Sequence, residues 1–168
     1  MMKKVLSILS FFSLLAAVPA EAASPKLLGE YNDWVAYYYN DAGWTVCYMA
    51  STPKKDEGRY TTRGDIYAVV THRPAEKSYD VVNFVAGYTF KPNSEVSVKI
   101  GSKTIDKLFT SGDKAWATSD KELVEAMKRG SRMIVDGTSS RGTKTKDTYS
   151  LSGFASAYKA ISNKCPRK

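Results

Sequence analysis

Short runs of aromatic and β-branched residues, each closed by a turn cluster, recur along most of this chain and restrict it to a mainly β fold. Residues 30–39 (EYNDWVAYYY) and 44–50 (WTVCYMA) flank the cluster Asn40-Asp41-Ala42-Gly43 and read as a hairpin. In the second of these strands Trp44, Val46 and Tyr48 take one face and Thr45, Cys47 and Met49 the other. Residues 51–62 hold Pro53, Gly58 and five charges, and read as a surface loop. Residues 65–72 (DIYAVVTH) and 79–90 (YDVVNFVAGYTF) continue the series, with Gly87 marking a bulge or a close approach. Residues 95–100 alternate Val96, Val98 and Ile100 with Glu95, Ser97 and Lys99. Gly101-Ser102 then occupies a two-residue hairpin turn before 104–109 return. Ala115-Trp116-Ala117 is a short apolar piece, and 132–137 (RMIVDG) and 147–151 (DTYSL) are two more strands around a polar loop at 138–146.

Two stretches follow the helical period instead. Ser119 or Asp120 can cap a helix, Glu122 stands three residues after Ser119, and Leu123, Val124 and Met127 repeat at helical spacing before Lys128, Arg129 and Gly130. Residues 152–164 place Phe154, Ala157, Tyr158 and Ile161 on one face of a second helix. The expected fold is an antiparallel β-sandwich with one short internal helix and a C-terminal helix.

Residues 1–22 do not belong to that domain. Lys3 and Lys4 give a basic start, residues 5–18 are almost wholly apolar, Pro19 breaks the run, and Ala20-Glu21-Ala22 fits a small-x-small cleavage site. A stretch of about 14 apolar residues falls short of the roughly 20 that span a bilayer. The expectation is a cleaved secretory leader at 1–22 and one domain at 23–168, working in the periplasm, in the cell envelope or outside a bacterial cell and not spanning the membrane. Lys3, Lys4 and Glu21 contribute +1 to the formal charge of +8, so the mature chain carries +7. Outside the cytoplasm, nucleic acid is not the expected partner of such a charge; lipid headgroups, lipopolysaccharide phosphates and acidic polymers are. Cys47 and Cys165, an even count in an oxidising compartment, are expected to form one disulfide fastening the C-terminal helix to the second strand.

Catalytic chemistry is hard to find. His72 is the single histidine and ends a strand; a triad would need it beside a nucleophile and a carboxylate, and no Gly-x-Ser-x-Gly elbow exists. Asp65, Asp80, Asp106, Asp113 and Asp136 lie near strand ends, where turn aspartates are ordinary and a glycosidase pair is the rarer explanation. No clustered spacing suits a metal, and no phosphate-cradling glycine motif precedes a helix, so no cofactor is expected. Arg63-Gly64-Asp65 is the integrin-binding tripeptide, a match short enough to arise by chance. Trp34, Trp44 and Trp116 are expected to fill the core or flank the sheet, and the run Tyr37-Tyr38-Tyr39 must alternate across its strand, sending at least one ring away from the core.

Tyr31-Asn32-Asp33-Trp34, Trp44-Thr45-Val46-Cys47-Tyr48 and Ser51-Thr52-Pro53 resemble the opening of the invasion-associated locus B family of secreted alphaproteobacterial proteins. Val85-Ala86-Gly87-Tyr88, Val98-Lys99-Ile100-Gly101, Lys107-Leu108-Phe109 and Ala115-Trp116-Ala117 are similar too. So are residues 137–143 (GTSSRGT) running into 148–154 (TYSLSGF), then Ala157-Tyr158 and Cys165. The resemblance implies a periplasmic or envelope-associated β-sandwich without established catalytic residues. Members often carry additional cysteines, whereas this chain has two, so any extra crosslink of the family is absent here.

Together these observations favour a non-enzymatic envelope protein, a binding or virulence-associated module of host-cell-invasion type that takes an anionic envelope component or a partner protein. Arg141, Lys144 and Lys146 on the loop 138–146 are the expected contact residues, since loops on rigid sandwiches carry function. A secreted cell-wall or glycan hydrolase is the alternative. Oligomeric state stays open.

Overall fold

In the computed structural model, which describes residues 24–167, the runs above form eleven strands. The expected leader at 1–22 lies outside the described residues. The strands are β1 (Lys26–Tyr31), β2 (Trp34–Asp41), β3 (Trp44–Ser51), β4 (Lys55–Gly58), β5 (Tyr67–Arg73), β6 (Ser78–Val85), β7 (Val96–Ile100), β8 (Lys103–Ser111), β9 (Lys114–Trp116), β10 (Arg132–Thr138) and β11 (Lys144–Ser150). Helix α1 (Asp120–Arg129) lies between β9 and β10, and α2 (Phe154–Lys164) follows β11. All pairings are antiparallel, in the order β1-β2-β3-β5-β6-β9-β8-β7-β10-β11-β4.

Strand β8 makes this order a sandwich. Residues 103–108 pair with β7, whereas Phe109, Thr110 and Ser111 pair with β9, so the ladder folds over along one long strand. The first sheet holds β1, β2, β3, β5, β6 and β9, and the second holds β7, β10, β11 and β4. Their inner faces meet where Phe84 on β6 packs against Tyr149 on β11, ring centres 6.2 Å apart. Met133, Val135, Val96 and Val98 fill the second sheet's inner face, opposite Ala36, Met49, Val70 and Val82 of the first.

The helices cover the rest of the first sheet's inner face, presenting Leu123, Val124 and Met127 from α1 and Phe154, Ala157 and Ile161 from α2. Trp34 is fully buried, meets Phe154 edge-on at 4.9 Å, and donates its indole N–H to Ser150 O at 3.0 Å. Gly153 opens α2 at φ +88°, where a Cβ would stand 1.8 Å from Tyr31 O; only glycine lets the helix start against β1. The Cys47–Cys165 disulfide joins β3 to the end of α2 across a sequence separation of 118. Closing so long a loop restricts the unfolded chain by up to roughly 5 kcal/mol on chain-entropy reasoning.

Four local expectations change. Residues 30–39 are two strands, because Asn32-Asp33 makes a tight turn with Asn32 at φ +52°, a conformation asparagine tolerates. The supposed loop 51–62 contains β4, which pairs with β11 and gives the second sheet its edge. The long strand at 79–90 stops at Val85, because Gly87 turns at φ +70° and its carbonyl takes the Gly64 N–H at 2.9 Å. The polar loop is confined to 139–143, since β11 begins at Lys144. Of the three tryptophans, Trp34 is core and Trp44 is 63% exposed.

The double substitution Cys47→Ala with Cys165→Ala should lower stability by roughly 2–5 kcal/mol in urea unfolding. Amide exchange in α2 should quicken before exchange in β5 and β6. Unchanged α2 protection would show that packing alone holds the helix.

Candidate functional site

The segment between β4 and β5 is pinned by one side chain. Arg63 donates both terminal nitrogens to the two carboxylate oxygens of Asp147 on β11, each at 2.6 Å, and its Nε to Ala86 O at 2.7 Å. The two side chains are only 3% and 6% exposed. Tyr88 and Tyr60 hold their rings 5.0 and 5.5 Å from the guanidinium carbon, and the Tyr88 hydroxyl is 2.6 Å from Thr145 Oγ1. Burial pushes the Asp147 carboxyl up, and the Arg63 guanidinium pulls it back. A buried bidentate pair of this kind is retained only with its hydrogen bonds satisfied, and removing one partner strands a charge. Arg63 is therefore fully engaged inside the fold, and the tripeptide Arg63-Gly64-Asp65 presents no free guanidinium.

Above this pair lies a cleft of about 420 Å³. Arg59 and Arg141 stand in its wall, with hydroxyls from Thr61, Thr62, Ser139 and Thr143 between them. A second depression continues from it over Arg59, Arg141, Gly142 and Lys144. The hairpin tip is shaped by its own bonds: Ser139 Oγ accepts the Thr143 N–H at 3.1 Å, and Gly142, at φ +84°, donates its N–H to Ser139 O at 2.8 Å. Arg59, Arg141 and Lys144 are exposed. The ion pairs formed nearby, Lys55 with Glu57, Lys99 with Asp136 and Arg63 with Asp147, involve none of the three.

The expected contact residues thus separate. Arg141 and Lys144 come together beside the cleft. Lys146 sits in register between Asp136 on β10 and Glu57 on β4, on the outer face of the second sheet, and lines neither depression. Arg59 joins the cluster without having been singled out in the sequence. It follows β4, whose pairing with β11 brings residues 59 and 141 to one place, and no local pattern announces that pairing.

His72 has residues of a hydrolytic triad around it in the wrong arrangement. Its Nε2 lies 3.2 Å from Ser162 Oγ on α2, and its Nδ1 is 3.9 Å from Asp80 Oδ1. Nδ1, however, accepts the backbone N–H of Asp80 at 3.1 Å. The ring proton is therefore on Nε2 and points at the serine, the reverse of what a general base needs. Asp80 is taken by Tyr158 Oη, which donates to it at 2.6 Å, and by Arg167. It holds φ +61°, a backbone state that few residues other than glycine enter. This buried cluster fastens α2 and the C-terminus to β5 and β6. Among the other aspartates, Asp136 is paired with Lys99, Asp65 and Asp113 are exposed, and the Asp106 side chain lies outside the described residues. Among the described residues, no three His, Cys, Asp or Glu side chains gather as a metal site would require.

Burial holds the His72 imidazole below its ordinary pKa; the nearby Asp80 charge opposes this, and Arg167 and Lys128 reinforce it. The unfolded chain takes up this proton near pH 6.5, before the native state does. The contribution of neutral His72 is therefore complete above about pH 6.5 and is lost as pH falls below it toward the native pKa. Urea unfolding at pH 7.5 and 5.0 should show a smaller acid loss in His72→Gln than in the natural chain. Equal losses would mean that other groups carry the acid sensitivity.

Comparison with known proteins fits this architecture. The chain is similar to the crystal structure of invasion associated protein b from Bartonella henselae, with a TM-score of 0.56 and 18% sequence identity over 86% of this chain and 97% of that one. At that identity the likeness concerns the fold. A comparison with curated protein sequences gives no match. Residues 35–162 match the family model for invasion associated locus B protein, and the chain belongs to the invasion-associated locus B (IalB) family.

Proposed function

We propose that the protein is an exported, non-enzymatic envelope module that holds an anionic envelope component in the cleft bordered by Arg59, Arg141 and Lys144. One observation carries this reading. Three exposed cations that form no ion pair among the described residues border a hydroxyl-lined cleft whose deepest cation, Arg63, is already neutralised by Asp147. An incoming phosphate or carboxylate meets charge at the rim and neutral hydroxyl donors in the wall, an arrangement that suits charge-assisted hydrogen bonds. The leader-like residues 1–22 and the charge of +7 after them support placement in the envelope. The reversed His72 tautomer supports a binding role over a hydrolytic one. The family and the similarity to an invasion-associated protein support a virulence-associated module, whose host-directed form would use the same cleft chemistry on an acidic host glycan.

Retention of the oxidised protein on envelope preparations of its own bacterium, compared with desialylated and intact erythrocyte membranes, tests the proposal. Replacing Arg59, Arg141 and Lys144 together with Ala should weaken envelope binding roughly tenfold to a hundredfold, at about 1 kcal/mol or less per exposed contact. Binding by the natural chain should fall as salt rises. Lys146→Ala should bind almost as the natural chain does. Salt-insensitive retention, unchanged in the triple variant, would remove the cleft from the account. Binding confined to sialylated erythrocyte membranes would replace the envelope ligand with a host glycan.

A further inference from the structure

The two sheets treat their outer faces differently. On the second sheet the outward residues are polar and charged, among them Ser97, Lys99, Asp136, Lys144, Lys146 and Thr148, with Ile134 the apolar exception. On the first sheet the central outward residues are largely apolar or aromatic, and the charged ones, Glu30, Asp41, Arg73 and Lys114, lie toward its margins. Cross-strand partners share a face, and two rows can be followed across it. One runs Leu27–Tyr37–Tyr48–Thr71–Val81, and the other Val35–Ala50–Val69–Asn83–Trp116–Phe109. Tyr37 and Tyr48 stack at 5.2 Å, and Phe109 and Trp116 lie nearly parallel at 6.5 Å. The three large apolar side chains that are most exposed, Leu27 at 55%, Trp44 at 63% and Phe109 at 56%, all belong to this face. A shallow depression runs over Val35, Tyr37, Tyr48 and Val69 and ends at the Lys54–Asp33 ion pair. Strands β2, β3, β5 and β6 are thus apolar on both sides, the pattern of strands covered on both faces.

We infer that this face is the interface of a homodimer in which the first sheets of two copies pack against each other. Size favours a second copy. Seven strands about 4.8 Å apart and five residues of about 3.4 Å each give a footprint of roughly 500 Å² before side-chain relief is added. That relief brings the accessible area toward the roughly 800 Å² per partner of a standard interface. Charge favours it as well. A chain carrying +7 associates with itself most readily through a surface poor in unpaired charge; the two rows contain no charged residue, and Arg73 and Asp41 at one end of the face pair with each other. The charges at the margins are complementary: Glu30 pairs with Val35 on the β1 side, and Lys114 pairs with Val85 on the β9 side. A two-fold axis along the strands sets β1 of one copy over the β8–β9 side of the other, and so carries Glu30 to the margin that holds Lys114. Both faces are twisted sheets and pack as the sheets of a sandwich do, about 10 Å apart.

Sedimentation velocity of the exported, disulfide-bonded protein from 1 to 100 µM, a range on the order of ordinary interface affinities, tests the inference. The natural chain should sediment as a dimer. Phe109→Lys and Leu27→Lys, at exposed sites that leave the core intact, should each raise the dimer dissociation constant roughly tenfold or more. Val69→Lys at the centre should yield a monomer, its fold checked by retained near-ultraviolet dichroism. Arg141→Ala, outside this face, should remain dimeric. A natural chain that stays monomeric throughout, or a dimer that survives all three lysine substitutions, would overturn the inference. Flotation with phosphatidylethanolamine–phosphatidylglycerol vesicles, abolished by Phe109→Lys in a monomeric protein, would assign the face to lipid and overturn it equally.

Discussion

The Arg63–Asp147 pair ties the segment after β4 to both sheets at once. Its guanidinium reaches the second sheet through Asp147, the end of β6 through the Ala86 carbonyl, and the aromatic wall through Tyr88 and Tyr60. Three roles follow from one side chain. It anchors the segment after β4, so that Arg59 has a fixed place. It backs the cleft with a neutralised pair, so that net positive charge remains only at the rim. It also lies against the ring of Tyr88, whose hydroxyl meets Thr145 in the cleft wall. A buried ion pair is weak evidence of stability, since hydrophobic residues of like volume often serve as well. Its value here lies in geometry, because apolar replacements could not bond the Ala86 carbonyl and the Asp147 carboxylate at the same time.

The first sheet depends on different physics. Its inner face is sealed by α1, α2 and the second sheet, and the seal is fastened twice near one place. Cys47 is bonded to Cys165, and its cross-strand neighbour His72 is locked to Ser162 and Asp80. The disulfide acts chiefly on the unfolded chain, whereas the His72 cluster acts on the native one. With the inner side closed, the apolar outer rows are the remaining unsatisfied surface of this sheet, far larger than singly scattered apolar residues would make.

Much of this was readable from residues alone. Alternation located β7, the Gly101-Ser102 turn located β8 after it, helical spacing located both helices, and the turn at 40–43 was announced by its composition; Ala42 and Gly43 both take positive φ there. The cysteine pair was legible because compartment and count left one pairing. The outward rings of the tyrosine run were foreseen, and Tyr37 and Tyr39 do turn away while Tyr38 faces inward beneath Lys164. What escaped was non-local. β4 is charged (KDEG) and earns its strand only by pairing with β11, ninety residues on. Arg59 escaped with it. The split among Arg141, Lys144 and Lys146 was hidden because the cleft wall is completed by residues 59–63, which only the β4–β11 pairing brings beside the hairpin tip. Trp44 escaped because aromatic content by itself does not reveal which face of a sheet is covered.

The central claim is that the deep arginine is structural and the rim arginines are free to bind. Arginine side-chain Nε–H resonances, followed by NMR during titration with inorganic pyrophosphate, test it most directly. The account predicts that the Arg59 and Arg141 signals shift with saturation and recover at high salt, while the Arg63 signal exchanges slowly with solvent and does not move. A shifting, rapidly exchanging Arg63 signal, or unmoved Arg59 and Arg141 signals, would contradict it.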